Sequence, residues 1–240
     1  RPAGPWRWSV AAAAGVVLAA GVAGLHWTGA GAAAGTAGLP GEAGPSPEGT
    51  ATAVRAGRLP RSLQELEPLV SAGPAGAPVR VDVYADFQCP YCARAAREVL
   101  TPLLEQEVRE GRMRVVFHNF AFLGAESVWA ARAAVCAAVQ GRFWPYHDRL
   151  FAAQRAENSG VYRVERLVEM ARREGLEVES FQACLQRPEV RRLVEASYEE
   201  GRQRGVRATP TFFVNGQMVE GLVPVEELRR IARSRQAQQP

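Results

Sequence analysis

Lysine is absent from this chain: all 29 basic side chains among its 240 residues are arginine. Lysine-based catalysis, Schiff-base chemistry included, is therefore excluded. Cysteine is scarce, with four in the whole length, so this is not a small scaffold stapled by disulfides. Hydrophobic residues make up 47% of the chain, enough to bury a sizeable core. Charge of either sign is missing from a long early stretch, for after Arg7 no basic or acidic residue comes before Glu42. The net charge of +4 is spread along helix-like segments with Glu at neighbouring turns. Such patterning reads as solvated faces and argues against a nucleic-acid stripe.

The uncharged stretch includes an apolar run from Ser9 to Leu25, preceded by Arg1 and Arg7 and followed by His26 and Trp27. About 17 apolar and small residues lie at the short limit of a membrane span, and the basic residues before them place the rest of the chain outside the cytoplasm. Glycines at 15, 21 and 24 without amphipathic periodicity argue against a buried helix. An uncleaved signal anchor is expected. The alternative is a secreted or periplasmic protein released by cleavage at Ala30-Gly31-Ala32 or Ala32-Ala33-Ala34. From Gly29 to Gly57 the chain is rich in Gly, Ala, Pro and Thr and reads as a tether. We assign residues 1–37 to the N-terminal segment, 38–77 to a linker with a short helix at Ser62–Val70 capped by Ser62 and Glu65, and 78–236 to the folded domain. Ser71–Pro78 reads as a loop into it.

Within the domain, Val79–Ala85 alternates as a strand and Ala93–Glu110 reads as an amphipathic helix that Pro102 should kink. Between them stands Cys89-Pro90-Tyr91-Cys92. Cys89 falls at the helix N-terminus and Pro90 at the first helical position, where its fixed φ fits and its missing N–H is not needed. Free N–H groups and the helix dipole there favour a thiolate. A second strand follows over Met113–Asn119, then a wholly helical block at about 124–204: Glu126–Gln140, Phe143–Ala153, Val164–Glu174, a short turn at Phe181–Gln186, and Glu189–Arg204. Strand character returns in Thr211–Val214, turns at Asn215-Gly216, runs back over Gln217–Glu220, and ends in the helix Val225–Arg233.

A cysteine pair at this spacing is a zinc half-site, a redox pair or a coincidence. The remaining zinc candidates, Cys136, Cys184, His118 and His147, include no second tight pair, while the strand–turn–helix setting, Pro90 and the export signal favour the redox reading. Phe143, Trp144, Tyr146 and Phe151 read as core packing of the helical block, with a peptide groove as the alternative, and neither His118 nor His147 is taken as a site.

Asp86 through Cys92, Gly141-Arg142-Phe143-Trp144 with His147-Asp148, and Thr209-Pro210-Thr211-Phe212-Phe213-Val214-Asn215-Gly216 resemble the DsbA-like thiol:disulfide oxidoreductases of the thioredoxin superfamily, in their membrane-anchored or secreted bacterial branch. The resemblance implies an α/β thioredoxin-like fold, a central mixed sheet with an inserted helical subdomain. It implies Cys89 as an exposed nucleophile, Cys92 as its buried partner, tuning by Pro90 and Tyr91, and a cis bond between Thr209 and Pro210 facing the disulfide. Such a bond would turn the edge at residue 209 outward, so that an extended substrate pairs with it. Reoxidation by a quinone-linked membrane partner is also implied, with no metal and no organic cofactor.

Val83 stands where the family often has an acidic residue, and Asp82 should point to the other sheet face. A helix terminus supplies about 0.3–1 kcal/mol, less than the 1.36 kcal/mol of one pKa unit. The remaining activation of Cys89 must come from hydrogen bonds to its sulfur. Cys136 and Cys184 lie in the helical block; in an oxidising compartment an even number favours a structural disulfide over two buried thiols. The reading is a monomeric domain that introduces disulfides into exported proteins carrying free thiols. A reductase or isomerase of the same fold, or a redox-inactive peptide-binding module, are the alternatives.

Overall fold

The computed structural model describes residues 58–236. The signal-anchor expectation for residues 1–37 and residues 38–57 of the expected linker lie outside them. Among the described residues no helix is long and apolar enough to cross a membrane.

Five strands form one mixed sheet in the order β1-β3-β2-β4-β5. Its centre is β2 (Val79–Ala85), parallel to β3 (Met113–Asn119) and antiparallel to β4 (Thr211–Val214). The edge strand β5 (Gln217–Glu220) returns antiparallel to β4 through Asn215-Gly216, both at positive φ, as a tight hairpin turn requires. At the opposite edge, β1 (Ser71–Ala72) pairs antiparallel with β3. The sequence reads this dipeptide as loop, since two residues are too short for alternation to register.

Before the sheet, α1 (Leu63–Leu66) starts at Ser62, whose hydroxyl accepts the Glu65 N–H at 3.3 Å. The Glu65 carboxylate accepts from the N–H of Arg61 rather than that of Ser62, so the expected box is shifted by one residue. Helix α2 opens as Pro90–Ala95 and continues through Ala96–Leu100, Thr101–Leu103 and Leu104–Val108. The kink expected at Pro102 takes the form of wide π turns on either side of it, the first closed by the Thr101 N–H and hydroxyl on the Ala96 carbonyl.

Five helices make the inserted block: α3 (Ala125–Val139), α4 (Phe143–Ala153), α5 (Val164–Arg173), α6 (Val178–Leu185) and α7 (Pro188–Gln203). The segment read as a short turn at Phe181–Gln186 is a full helix, because Phe181 and Leu185 one turn apart are both buried against its neighbours. The closing helix α8 (Val225–Gln236) packs on β4 and α2, while α7 packs on β3.

Both faces of β2 are buried, with only Arg80 partly exposed, as befits a central strand covered by helices on each side. Val81 and Val83 occupy one face, and Asp82 and Tyr84 the other. On that second face Tyr84 meets Phe120, Val206, Phe213 and Tyr198. Gly201 of α7 lies directly over it, where an added Cβ would come within 2.7 Å of Phe120 and 2.9 Å of Tyr84.

Candidate active site

Asp86, at the end of β2, shapes the loop into α2. Its Oδ1 accepts the Gln88 N–H at 2.8 Å and the Ser127 hydroxyl at 2.7 Å, and its Oδ2 accepts the N–H groups of Phe122 and Leu123. Its own carbonyl takes the Cys89 N–H at 3.0 Å. An aspartate that bonds the amide two residues on sets a tight turn, and this one delivers Cys89 to the N-cap of α2 with Pro90 at the first helical position. The Cys89 carbonyl then accepts from Cys92 and Ala93, at 3.0 and 3.1 Å, and starts the helix.

Both cysteines are free thiols in this structure. Cys92 is 2% exposed and Cys89 6% exposed, so the expectation of an exposed Cys89 is corrected. Its sulfur is turned inward, donating its S–H to the Thr209 carbonyl at 3.3 Å, and the surface is left to Pro90 and to Tyr91, which is 58% exposed. The Thr209–Pro210 peptide is cis. Tyr91, Arg94, Glu98, Thr209 and Leu222 line a groove of about 580 Å³ beside the pair.

The two thiols are pushed in opposite directions. Hydrogen bonding from the Cys92 thiol, with help from the Thr209 side chain and the N–H groups of Cys92 and Tyr91, outweighs burial and brings Cys89 down to about 6. Burial, followed by that same bond and by repulsion from a Cys89 thiolate, pushes Cys92 well up. The Thr209 hydroxyl is buried and has no other partner, which leaves it to the sulfurs.

The helical block reaches into this loop. Gln154, just past the end of α4, donates from Nε2 to the Phe87 carbonyl at 2.7 Å and the Cys89 carbonyl at 3.0 Å. The Tyr162 hydroxyl lies between the carbonyls of Phe87 and Leu150, and Asn158 gives its N–H to the Gln88 amide oxygen. Gln88 in turn donates to Ser127 and Asn158. None of the partners of residues 87–89 is legible from spacing, because those contacts join positions 39–75 residues apart. Asp86 is the exception: an aspartate three residues before a helix N-cap carries a turn signal of its own.

Other candidates fall elsewhere. Cys136 on α3 and Cys184 on α6 are joined to each other with Cα atoms 5.8 Å apart, and are not available as zinc ligands beside Cys89. Phe143, Trp144, Tyr146 and Phe151 are buried, which leaves no groove among them; Phe87 of the redox loop packs on Phe151 and His147. His147 is bonded to Asp148 at 2.8 Å. His118 is bonded to Asp82, on the sheet face away from Val83. Burial opposes the Asp82 charge, but hydrogen bonds from His118 and Arg80 outweigh it and hold the carboxyl below the usual range. No carboxylate takes the place of Val83, which is 1% exposed in the core.

Residues 66–232 match the family model described as Thioredoxin. The chain belongs to the thioredoxin superfamily, as a DsbA-like thiol-disulfide oxidoreductase. The probable disulfide bond formation protein D of Bacillus anthracis is 28% identical over 152 residues, 62% of this chain and 70% of that protein. The sodium/proton antiporter NhaA of Herminiimonas arsenicoxydans is 35% identical over 151 residues, 62% of this chain but only 22% of that protein's length. Oxidised BdbD from Bacillus subtilis superposes with a TM-score of 0.66 at 21% identity, over 75% of this chain and 97% of that structure, a likeness of fold. Membership of this superfamily accounts for the mixed sheet, the redox helix packed upon it and the helical block between β3 and β4.

Proposed function

We propose that Cys89 and Cys92 are the exchanging pair and that this DsbA-like protein uses them to introduce disulfides into exported proteins outside the cytoplasm. The observation that carries the reading is the geometry of the pair: Cys89 stands at the N-cap of α2 with Pro90 at the first helical position, and Cys92 lies buried within the first turn. The Cys89 sulfur sits 3.3 Å from the Thr209 carbonyl, at the cis Thr209–Pro210 bond. That setting lowers the Cys89 thiol and raises that of Cys92. In the oxidised state a substrate thiolate attacks Sγ of Cys89; the Cys89–Cys92 bond breaks and Cys92 leaves with the electron pair and takes up a proton. A second substrate thiolate then attacks the substrate sulfur of the mixed disulfide and expels Cys89 as a thiolate. The substrate loses two electrons and the protein gains them. A low-pKa leaving group makes the second step fast and stabilises the reduced protein, which favours donating a disulfide over removing one.

Thr209 and Pro210 stand beside the sulfur, and the adjoining groove suits an extended polypeptide laid along that edge. Pro90 and Tyr91 tune the pair through the helix start and the Tyr91 N–H. The protein acts as a monomer and is reoxidised by a quinone-linked membrane partner. The apolar N-terminal run supports an extracytoplasmic location, held there by an uncleaved anchor. Substituting Cys92→Ser removes the resolving thiol, and mixed disulfides of exported proteins with Cys89 are expected on non-reducing gels. Their absence, with the variant folded, would sink the reading.

A further inference from the structure

We propose that Gln154 is a positioning residue for Cys89: its amide occupies the Cys89 carbonyl, so that the Cys92 backbone N–H can turn from that carbonyl to the Cys89 sulfur when the sulfur is a thiolate. The inference rests on the reading of Cys89–Cys92 as the exchanging pair and names a residue from the helical block that serves it.

Three donors converge on one oxygen. The Cys89 carbonyl receives the N–H groups of Cys92 at 3.0 Å and Ala93 at 3.1 Å, and Gln154 Nε2 at 3.0 Å. A carbonyl oxygen has two lone pairs, so three donors compete for two places and a donor with a second acceptor in reach can be released to it. That second acceptor is present for Cys92, whose N–H is also among the groups that stabilise the Cys89 thiolate. Both partners of the Gln154 amide, the carbonyls of Phe87 and Cys89, are acceptors, so its NH₂ end must face them.

Gln154 does not reach this position by chance of a free side chain. It follows α4, and the segment after it is tied to the redox loop and to α3. Asn158 gives its N–H to Gln88 and its side-chain amide to the Leu123 carbonyl, while the Glu126 carboxylate takes the N–H groups of Gly160 at 2.6 Å and Tyr162 at 2.9 Å. A residue so placed is pre-organised before the sulfur ionises, which is what a stabilising group requires.

The test compares Gln154→Met, which keeps length and loses the donor, with Tyr162→Phe, which removes a bond to Phe87 but none to Cys89. In the reduced full chain, the pH profile of Cys89 alkylation by iodoacetamide is followed, together with the equilibrium with glutathione. For Gln154→Met the Cys89 profile is expected to move to higher pH and the glutathione equilibrium to shift toward the protein disulfide. Each should change by about three- to tenfold, the scale of one ordinary hydrogen bond. For Tyr162→Phe the profile is expected to stay where it is in the wild type. Equal displacement in both variants, or none in Gln154→Met, overturns the proposal. Should Gln154→Met not fold, the wild type still decides: the Cys92 amide nitrogen resonance is expected to titrate with Cys89 while that of Ala93 does not, and a Cys92 amide that ignores the titration overturns it. A wild type in which Cys89 and Cys92 form no disulfide with glutathione refutes instead the reading of the pair on which the proposal rests.

Discussion

At Cys89 the helix dipole is a small part of what sets the thiol, and specific hydrogen bonds are the larger part. The dipole contributes about 0.3–1 kcal/mol, whereas the displacement to about 6 comes first from the Cys92 thiol and then from Thr209 and backbone N–H groups. That displacement sets the sign of the pH dependence. The folded reduced protein holds Cys89 below its unfolded value of 9, so the folded state binds fewer protons between those limits and gains stability as pH rises. This contribution is complete above about 9 and is lost as pH falls through about 6. Denaturant unfolding of the reduced protein should therefore show rising stability from pH 5.5 to 8, by about 1.4 kcal/mol for each pH unit where only the folded thiol is ionised. In Cys89→Ser that slope should vanish; a slope that persists would assign the effect to another group.

Among the elements, the helical block does two jobs at once. It covers the Tyr84 face of the sheet through α7, and it sends Gln154, Asn158 and Tyr162 into the redox loop. Its integrity depends in part on the Cys136–Cys184 bond, which closes 48 residues between α3 and α6. Loop-closure entropy for that length is worth about 4 kcal/mol in the chain-entropy model. Replacing both cysteines by Ala should lower unfolding stability by an amount of that order in calorimetry or urea titration. Because the block carries the groups that hold Phe87 and Cys89, the same variant should also broaden the Cys89 alkylation profile; a variant with unchanged stability would show that the block is held by packing alone.

For the whole molecule, the proposed donor role makes a prediction about the resting state of the pair. Thiol labelling in cells should find Cys89–Cys92 mostly oxidised, as a donor kept charged by a membrane oxidase would be. A mostly reduced pair would point to the reductase or isomerase alternative. Much of this architecture is legible in the sequence, and the reason is local. Period-two alternation marks β2, the β-branched and aromatic run Val115-Val116-Phe117 marks β3, Asn-Gly marks the β4–β5 turn, and Cys-Pro-Tyr-Cys lies between a strand and a helix. The features that escape depend on distant partners. Ser71–Ala72 becomes a strand only because Val115 and Val116 lie beside it, and Phe181–Leu185 becomes part of a helix only because neighbouring helices cover it.

The sequence by itself determined the elements of the chemistry: two thiols separated by Pro90 and Tyr91 and a proline at the first helical turn. These follow from residue type and near-neighbour spacing, which carry turn, cap and periodicity signals directly. Tertiary structure alone decided how that chemistry is set. It buried Cys89 against the Thr209 carbonyl 120 residues away and brought Gln154 to the Cys89 carbonyl across 65. Hydrogen bonds at such separations depend on where β4 and α4 come to lie, and no local pattern encodes that position.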